Sequence, residues 1–132
     1  KRLAGATEWL ERLPAAKNCR IGFFGASTGA ASALQAAALL PDTGAVVSRG
    51  GRPDLAGIDS LHSVKAPTLL IVGSLDTEVI QLNKQALEEL RCVKELVIVP
   101  GASHLFEEKG KLEAVAELAA AWFEKYLQPI KV

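Results

Sequence analysis

Gly25, Ser27 and Gly29 form a G-x-S-x-G pattern directly after the apolar run Ile21-Gly22-Phe23-Phe24 and directly before an alanine-rich helical pattern. In a strand-to-helix turn this tight, the central residue is forced into a strained backbone conformation that lifts its side chain above the sheet. Its neighbours two positions away on either side must then be small. A serine held this way is exposed and aimed, as a nucleophile has to be. The N–H of Thr28, at the positive end of the following helix, would lie where a developing oxyanion could be stabilised. The bland reading is a glycine turn with an N-cap serine, which needs no function.

Two further residues supply what a serine nucleophile lacks. Val72-Gly73-Ser74-Leu75-Asp76 puts an acid just after one apolar run, and Pro100-Gly101-Ala102-Ser103-His104 puts a histidine just after the next. Singly, Asp76 reads equally well as a helix N-cap for the segment from Glu78, and His104 as a solvated loop residue. Together they give the chain order Ser, Asp, His, each just past a strand, which is one particular triad architecture. A nucleotide-binding reading of Gly-Ala-Ser-Thr-Gly-Ala-Ala competes less well. The Tyr-x-x-x-Lys pair of short-chain dehydrogenases is missing, since Tyr126 is followed by Ile130, and no G-x-x-x-x-G-K loop is present. Cys19, His62, Cys92 and His104 show no metal-ligand spacing, so neither a metal nor a cofactor is expected. Arg49 and Arg52 follow the second apolar run and could grip a substrate carboxylate or phosphate with a bidentate fork. Their alternative is a local ion pair with Asp54.

These residues need a sheet edge to converge on. Four apolar runs, Arg20 to Phe24, Gly44 to Ser48, Thr68 to Val72 and Glu95 to Val99, read as strands covered on both faces, the habit of parallel sheets. Helical stripes lie around them: Leu3, Ala6, Leu10 and Leu13; Val79, Leu82, Ala86 and Leu90; and Leu112, Val115, Ala119, Trp122 and Tyr126. The segment Thr28 to Leu40 is a further helix, mostly alanine, able to approach a sheet closely. The alternation predicts an α/β fold, a parallel four-stranded sheet flanked by helices, with residues 1–132 as a single domain. Ligands of such sheets gather at the carboxyl edge of the strands.

Composition narrows the partners. Fifteen basic residues balance fifteen acidic ones, so no positive surplus exists to neutralise a phosphate backbone or an anionic membrane. No apolar run approaches the roughly 18 residues needed to span a bilayer. Two cysteines without C-x-x-C spacing make no disulfide framework, and a cytoplasmic location is expected.

From about Arg20 to Tyr126 the sequence resembles the α/β-hydrolase superfamily, and within it the dienelactone-hydrolase-like group. Ser27, Asp76 and His104 match that family's positions after strands 5, 7 and 8. The segments Ser48-Arg49-Gly50-Gly51-Arg52-Pro53-Asp54-Leu55 and Ala102-Ser103-His104-Leu105-Phe106 look like group members associated with phosphoribosyltransferases. Dienelactone hydrolase itself usually carries Cys at the elbow, so the serine argues against inheriting its substrate. The resemblance implies acyl transfer on small esters, thioesters or lactones through a Ser-His-Asp acyl-enzyme.

It also implies that the chain corresponds to strands 5 to 8 only, the second half of that fold. The loop after strand 3, which supplies the second oxyanion N–H in the complete family, has no counterpart here. Losing one such donor costs about 2.7 to 4 kcal/mol, so weak activity is expected, with a catalytically idle half-fold or self-assembling module as the alternative. The unpaired edge at residues 20–24 predicts a homodimer about a two-fold axis. With no lid segment between Ser48 and Thr68, an open pocket for small acyl groups is expected.

Overall fold

A computed structural model describes residues 21–127. The predicted helical stripe Leu3 to Leu13, and Arg20 at the predicted start of the first strand, lie outside the described residues. Four strands, β1 (Gly22–Ala26), β2 (Ala45–Arg49), β3 (Thr68–Gly73) and β4 (Lys94–Val99), form one sheet in the order β1-β2-β3-β4. Every neighbouring pair is parallel. Four helices accompany them: α1 (Thr28–Leu39), α2 (Ile58–Ser63), α3 (Thr77–Glu89) and α4 (Lys111–Tyr126). The expected α/β architecture, a four-stranded parallel sheet flanked by helices, is the one observed.

Neighbouring strands that advance steadily in one direction put their crossovers on one face when each crossover has the usual hand. One core is accordingly built from α1, α2 and α3 against Phe23, Val46 and Leu70. The other is built from α4 and Phe106 against Ala45, Val47, Leu69 and Ile71. Side chains alternate between these cores along β2 and β3, which are buried on both sides. The alanines of α1 do what their size permits: Ala30, Ala31, Ala33, Ala36 and Ala37 are all buried. Trp122 pins α4 across the opposite face by donating Nε1–H to the Pro67 carbonyl at 3.1 Å.

Three expectations need correction. The first two strands end two and one residues later than their apolar runs, because β1–β2 pairing continues through Gly25 with Ser48 and Ala26 with Arg49. Backbone pairing does not stop where hydrophobicity does. The fourth run is covered only in part: Leu96 packs on one core and Val97 and Val99 on the other, while most of β4, which pairs only with β3 among the described residues, is exposed or half-buried. Between β2 and β3, a short 3-10 helix at Pro53–Ala56 and α2 occupy a stretch for which no element was predicted. Among the described residues, no helix is long and apolar enough to cross a membrane.

Candidate active site

The turn after β1 is built by one glycine and one strained serine. Ser27 has φ 51° and ψ −124°, and it immediately precedes α1. A Cβ on Gly25 would lie 2.5 Å from the Gly29 carbonyl oxygen and 2.7 Å from the Ala30 backbone, so only glycine lets the chain double back here. The second glycine of the motif differs from expectation. A Cβ on Gly29 would meet nothing within 4 Å among the described residues, so this position is not sterically required to be small. The serine takes no part in capping: its side chain makes no hydrogen bond to the helix N-terminus. Two backbone bonds tie the elbow to the end of β2 and the loop after it, Ser27 N–H to the Arg49 carbonyl at 3.4 Å and Arg52 N–H to the Ser27 carbonyl at 3.0 Å.

Instead of capping, Ser27 Oγ lies 3.1 Å from His104 Nε2, a contact across 77 residues of sequence. His104 Nδ1 lies 2.6 Å from Asp76 Oδ2. Asp76 does occupy the N-cap position of α3, yet its carboxylate makes no capping bond and faces the imidazole. The tautomer that satisfies all three groups carries its proton on Nδ1, donated to Asp76, and accepts the Ser27 hydroxyl proton at Nε2. The structure therefore brings together Ser27, Asp76 and His104 from the ends of β1, β3 and β4. Asp76 is the more sheltered of the coupled pair, with its side chain 15% exposed against 41% for His104.

The histidine loop is held by residues to which no role was assigned from the sequence. It lies close on Gly73, where a Cβ would stand 2.2 Å from the Ala102 carbonyl oxygen. Ser103 N–H donates to Glu108 Oε1 at 2.9 Å, and that bond holds the Glu108 carboxyl below its usual range. Phe106, fully buried, closes the loop with φ 56°. Ser27 and Phe106 are the two non-glycine residues with positive φ among those described, and both flank the same site. A bulky residue in that region is a true outlier. The only sequence sign was the length of the loop itself, which has to turn back into α4.

The two arginines part company. Arg52 donates Nε–H to Asp54 Oδ1 at 3.0 Å and Nη2–H to Asp54 Oδ2 at 2.9 Å, a bidentate pair that raises the arginine pKa and lowers the carboxyl's. Arg49 forms no ion pair among the described residues, and its guanidinium lies 5.8 Å from the centre of the Phe106 ring. Thr28, the expected oxyanion donor, is the first residue of α1, where a backbone N–H has no partner inside the helix. Two surface grooves, of about 380 Å³ beside Gln35, Leu39 and Ser63 and about 360 Å³ beside Val97, Leu118 and Ala121, contain none of the three convergent residues. No group of three potential ligands suited to a metal ion is found among the described residues.

Relatives place this arrangement in context. A dienelactone hydrolase from Anabaena variabilis is 59% identical, superposes with a TM-score of 0.92, and is matched over 96% of this chain and 59% of its own. The esterase domain of a Rhodothermus marinus protein shares the fold, with a TM-score of 0.78 at 23% identity over 96% of this chain and 68% of that one. A Mycobacterium tuberculosis protein named "Putative phosphoribosyl transferase" is 55% identical over 127 residues, 96% of this chain and 28% of that protein. The chain thus spans under a third of that relative's length and under two thirds of the Anabaena structure. The sequence model of the dienelactone hydrolase family matches residues 1–131, essentially end to end, and the chain belongs to the dienelactone hydrolase family.

Proposed function

We propose that the chain hydrolyses small carboxylic esters, thioesters or lactones through a serine acyl-enzyme. The observation that carries this reading is the unbroken hydrogen-bond path from Ser27 Oγ to His104 Nε2 and from His104 Nδ1 to Asp76 Oδ2. In this reading His104 removes the hydroxyl proton as Ser27 Oγ attacks the carbonyl carbon. Asp76 fixes the imidazole tautomer and stabilises the imidazolium. Negative charge on the carbonyl oxygen falls beside the Thr28 N–H and the start of α1. The imidazolium then returns its proton to the leaving oxygen, sulfur or ring alkoxide. A water, deprotonated by the same histidine, releases the acid and restores Ser27.

The dienelactone hydrolase relative supports hydrolysis. The transferase name belongs to a protein of which this chain spans 28%. A second reading, a catalytically idle half-fold or self-assembling module, draws on the match of this chain to 59% of the Anabaena structure. A fluorophosphonate probe read by intact mass separates the two, since it needs an activated serine and no known substrate. Labelling of the chain that is lost in Ser27→Ala supports the hydrolase. No labelling of either protein favours the idle half-fold.

A further inference from the structure

We infer that Asn83, on the helix that follows Asp76, is a positioning residue: through one peptide plane it sets how Ser27 stands toward His104. The inference rests on the hydrolase reading for what the positioning serves, but not for the geometry. The Gly51–Arg52 peptide is the link. Its carbonyl accepts Asn83 Nδ2–H at 3.1 Å, and its N–H donates to the Ser27 carbonyl at 3.0 Å. A peptide unit is planar, so its C=O and N–H turn together. Fixing the Gly51 oxygen therefore fixes the direction of the Arg52 N–H, and with it the carbonyl of a residue held at φ 51° and ψ −124°. Ala30 N–H reaches the same carbonyl at 3.2 Å from inside α1, so the Arg52 bond is the one that comes from outside the elbow's own helix. The segment also touches the histidine: a Cβ on Gly50 would lie 3.1 Å from the His104 carbonyl oxygen and 3.6 Å from its Nδ1. Gly51 has no room to shift, since a Cβ there would stand 2.1 Å from Ser48 Oγ and 2.4 Å from Ala30 Cβ.

Two features separate Asn83 from an ordinary core amide. Its Nδ2 gives the other proton to the Val79 carbonyl at 2.8 Å, while Oδ1 is buried with no partner among the described residues. Native structures rarely leave a buried polar atom in that state. Turning the amide over would not help, because Oδ1 would then face two carbonyl oxygens. The side chain is thus held for its donors at the expense of its acceptor. The second feature is its place on α3. Asn83 lies seven residues after Asp76, the N-cap of that helix, about two turns along. One helix therefore carries the carboxylate that faces the imidazole of His104 and the amide that holds the peptide behind Ser27. Both halves of the Ser27–His104 contact are referenced to the same rigid element.

The test follows the His104 Nε2 resonance of the full chain by nuclear magnetic resonance, at a pH where the imidazoles are neutral. Ser27→Ala gives the position of that resonance with the serine contact absent. Asn83→Leu removes both donors at similar volume. Asn83→Ser is the milder variant, since its hydroxyl can bond back to the Val79 carbonyl four residues earlier but is too short for Gly51. Both should move the Nε2 resonance to its Ser27→Ala position. The Nε2 resonance of His62, held by Glu89 at the far end of α3, should stay where it is. Labelling of Ser27 by a fluorophosphonate should slow by about 10- to 100-fold in both variants. Trp122→Phe, which deletes a side-chain bond to a carbonyl in the opposite core, is the control for lost stability and should leave the resonance and the labelling rate unchanged. A folded Asn83 variant that keeps the parent resonance, or the labelling rate of a parent that labels, would overturn the inference. So would a parent resonance already at the Ser27→Ala position, or an equal shift in Trp122→Phe. A parent chain that does not label, with the resonance moving as expected, would sink the hydrolase reading and leave the role of Asn83 standing.

Discussion

Ser27 is held at φ 51°, a conformation that costs a non-glycine residue about 1–3 kcal/mol and persists only where its surroundings impose it. The imposition comes from one side. Gly25→Ala would drive a Cβ into the backbone of Gly29 and Ala30 and is expected to destabilise the fold by about 1–3 kcal/mol or more, read from urea unfolding. Gly29→Ala meets open space on the exposed side of α1 and replaces the poorer helix former, so it should be neutral or stabilise by up to about 1 kcal/mol. If both substitutions cost the same, the steric account of the elbow is wrong. Under the proposed mechanism Asp76→Asn should leave the structure intact but lower kcat by about 10⁴-fold, because the amide favours the wrong imidazole tautomer. Steady-state kinetics on an ester substrate would show it.

At the scale of elements, the site depends on how closely the loops after β2 and β4 can approach the strand ends. Asn83 of α3 is fully buried and donates Nδ2–H to the Gly51 carbonyl at 3.1 Å and to the Val79 carbonyl at 2.8 Å. It ties α3 to the loop whose backbone holds Ser27. Asn83→Ala removes a donor from a buried carbonyl and is expected to cost about 1–3 kcal/mol in thermal or urea unfolding. The histidine loop has its own tie in Glu108. Its carboxyl pKa is lowered from 4.5 by the Ser103 N–H, so its folded value lies below the unfolded one. The contribution is therefore fully present above the unfolded value and disappears as pH falls through the lowered folded one. Melting temperature followed from pH 7 into the acid range should fall less steeply in Glu108→Gln than in the parent chain.

Over the whole molecule, β1 pairs only with β2 among the described residues, and Phe24 on it is 49% exposed. The strand carries no charge or proline to discourage pairing with another strand. The expected occupant is the same edge of a second copy, related by a two-fold axis, with antiparallel pairing of the two β1 strands at its centre. Sedimentation velocity at micromolar concentration should then show a dimer, converted to monomer by Phe24→Lys. A monomer at every concentration would rule this out.

Much of this was legible from residue types. Apolar runs separated by helical stripes determined a parallel α/β sheet, because strands buried on two faces cannot alternate with polar residues. G-x-S-x-G, an acid and a histidine, each after a strand, determined the candidate triad, because parallel strands deliver their carboxyl ends to one edge. Sequence also held both readings of Asp76 and of the two arginines without choosing between them. That choice was tertiary. Asp76 occupies a cap position and serves the imidazole instead, and Arg52 takes the only Asp54 carboxylate while Arg49 is left above Phe106. Such outcomes depend on distances between residues far apart in the chain, which local propensity does not encode. The strained Phe106 and the close seat of the histidine loop on Gly73 belong to the same class. A composition can name the groups that might pair, but only the packed fold decides which donor finds which acceptor.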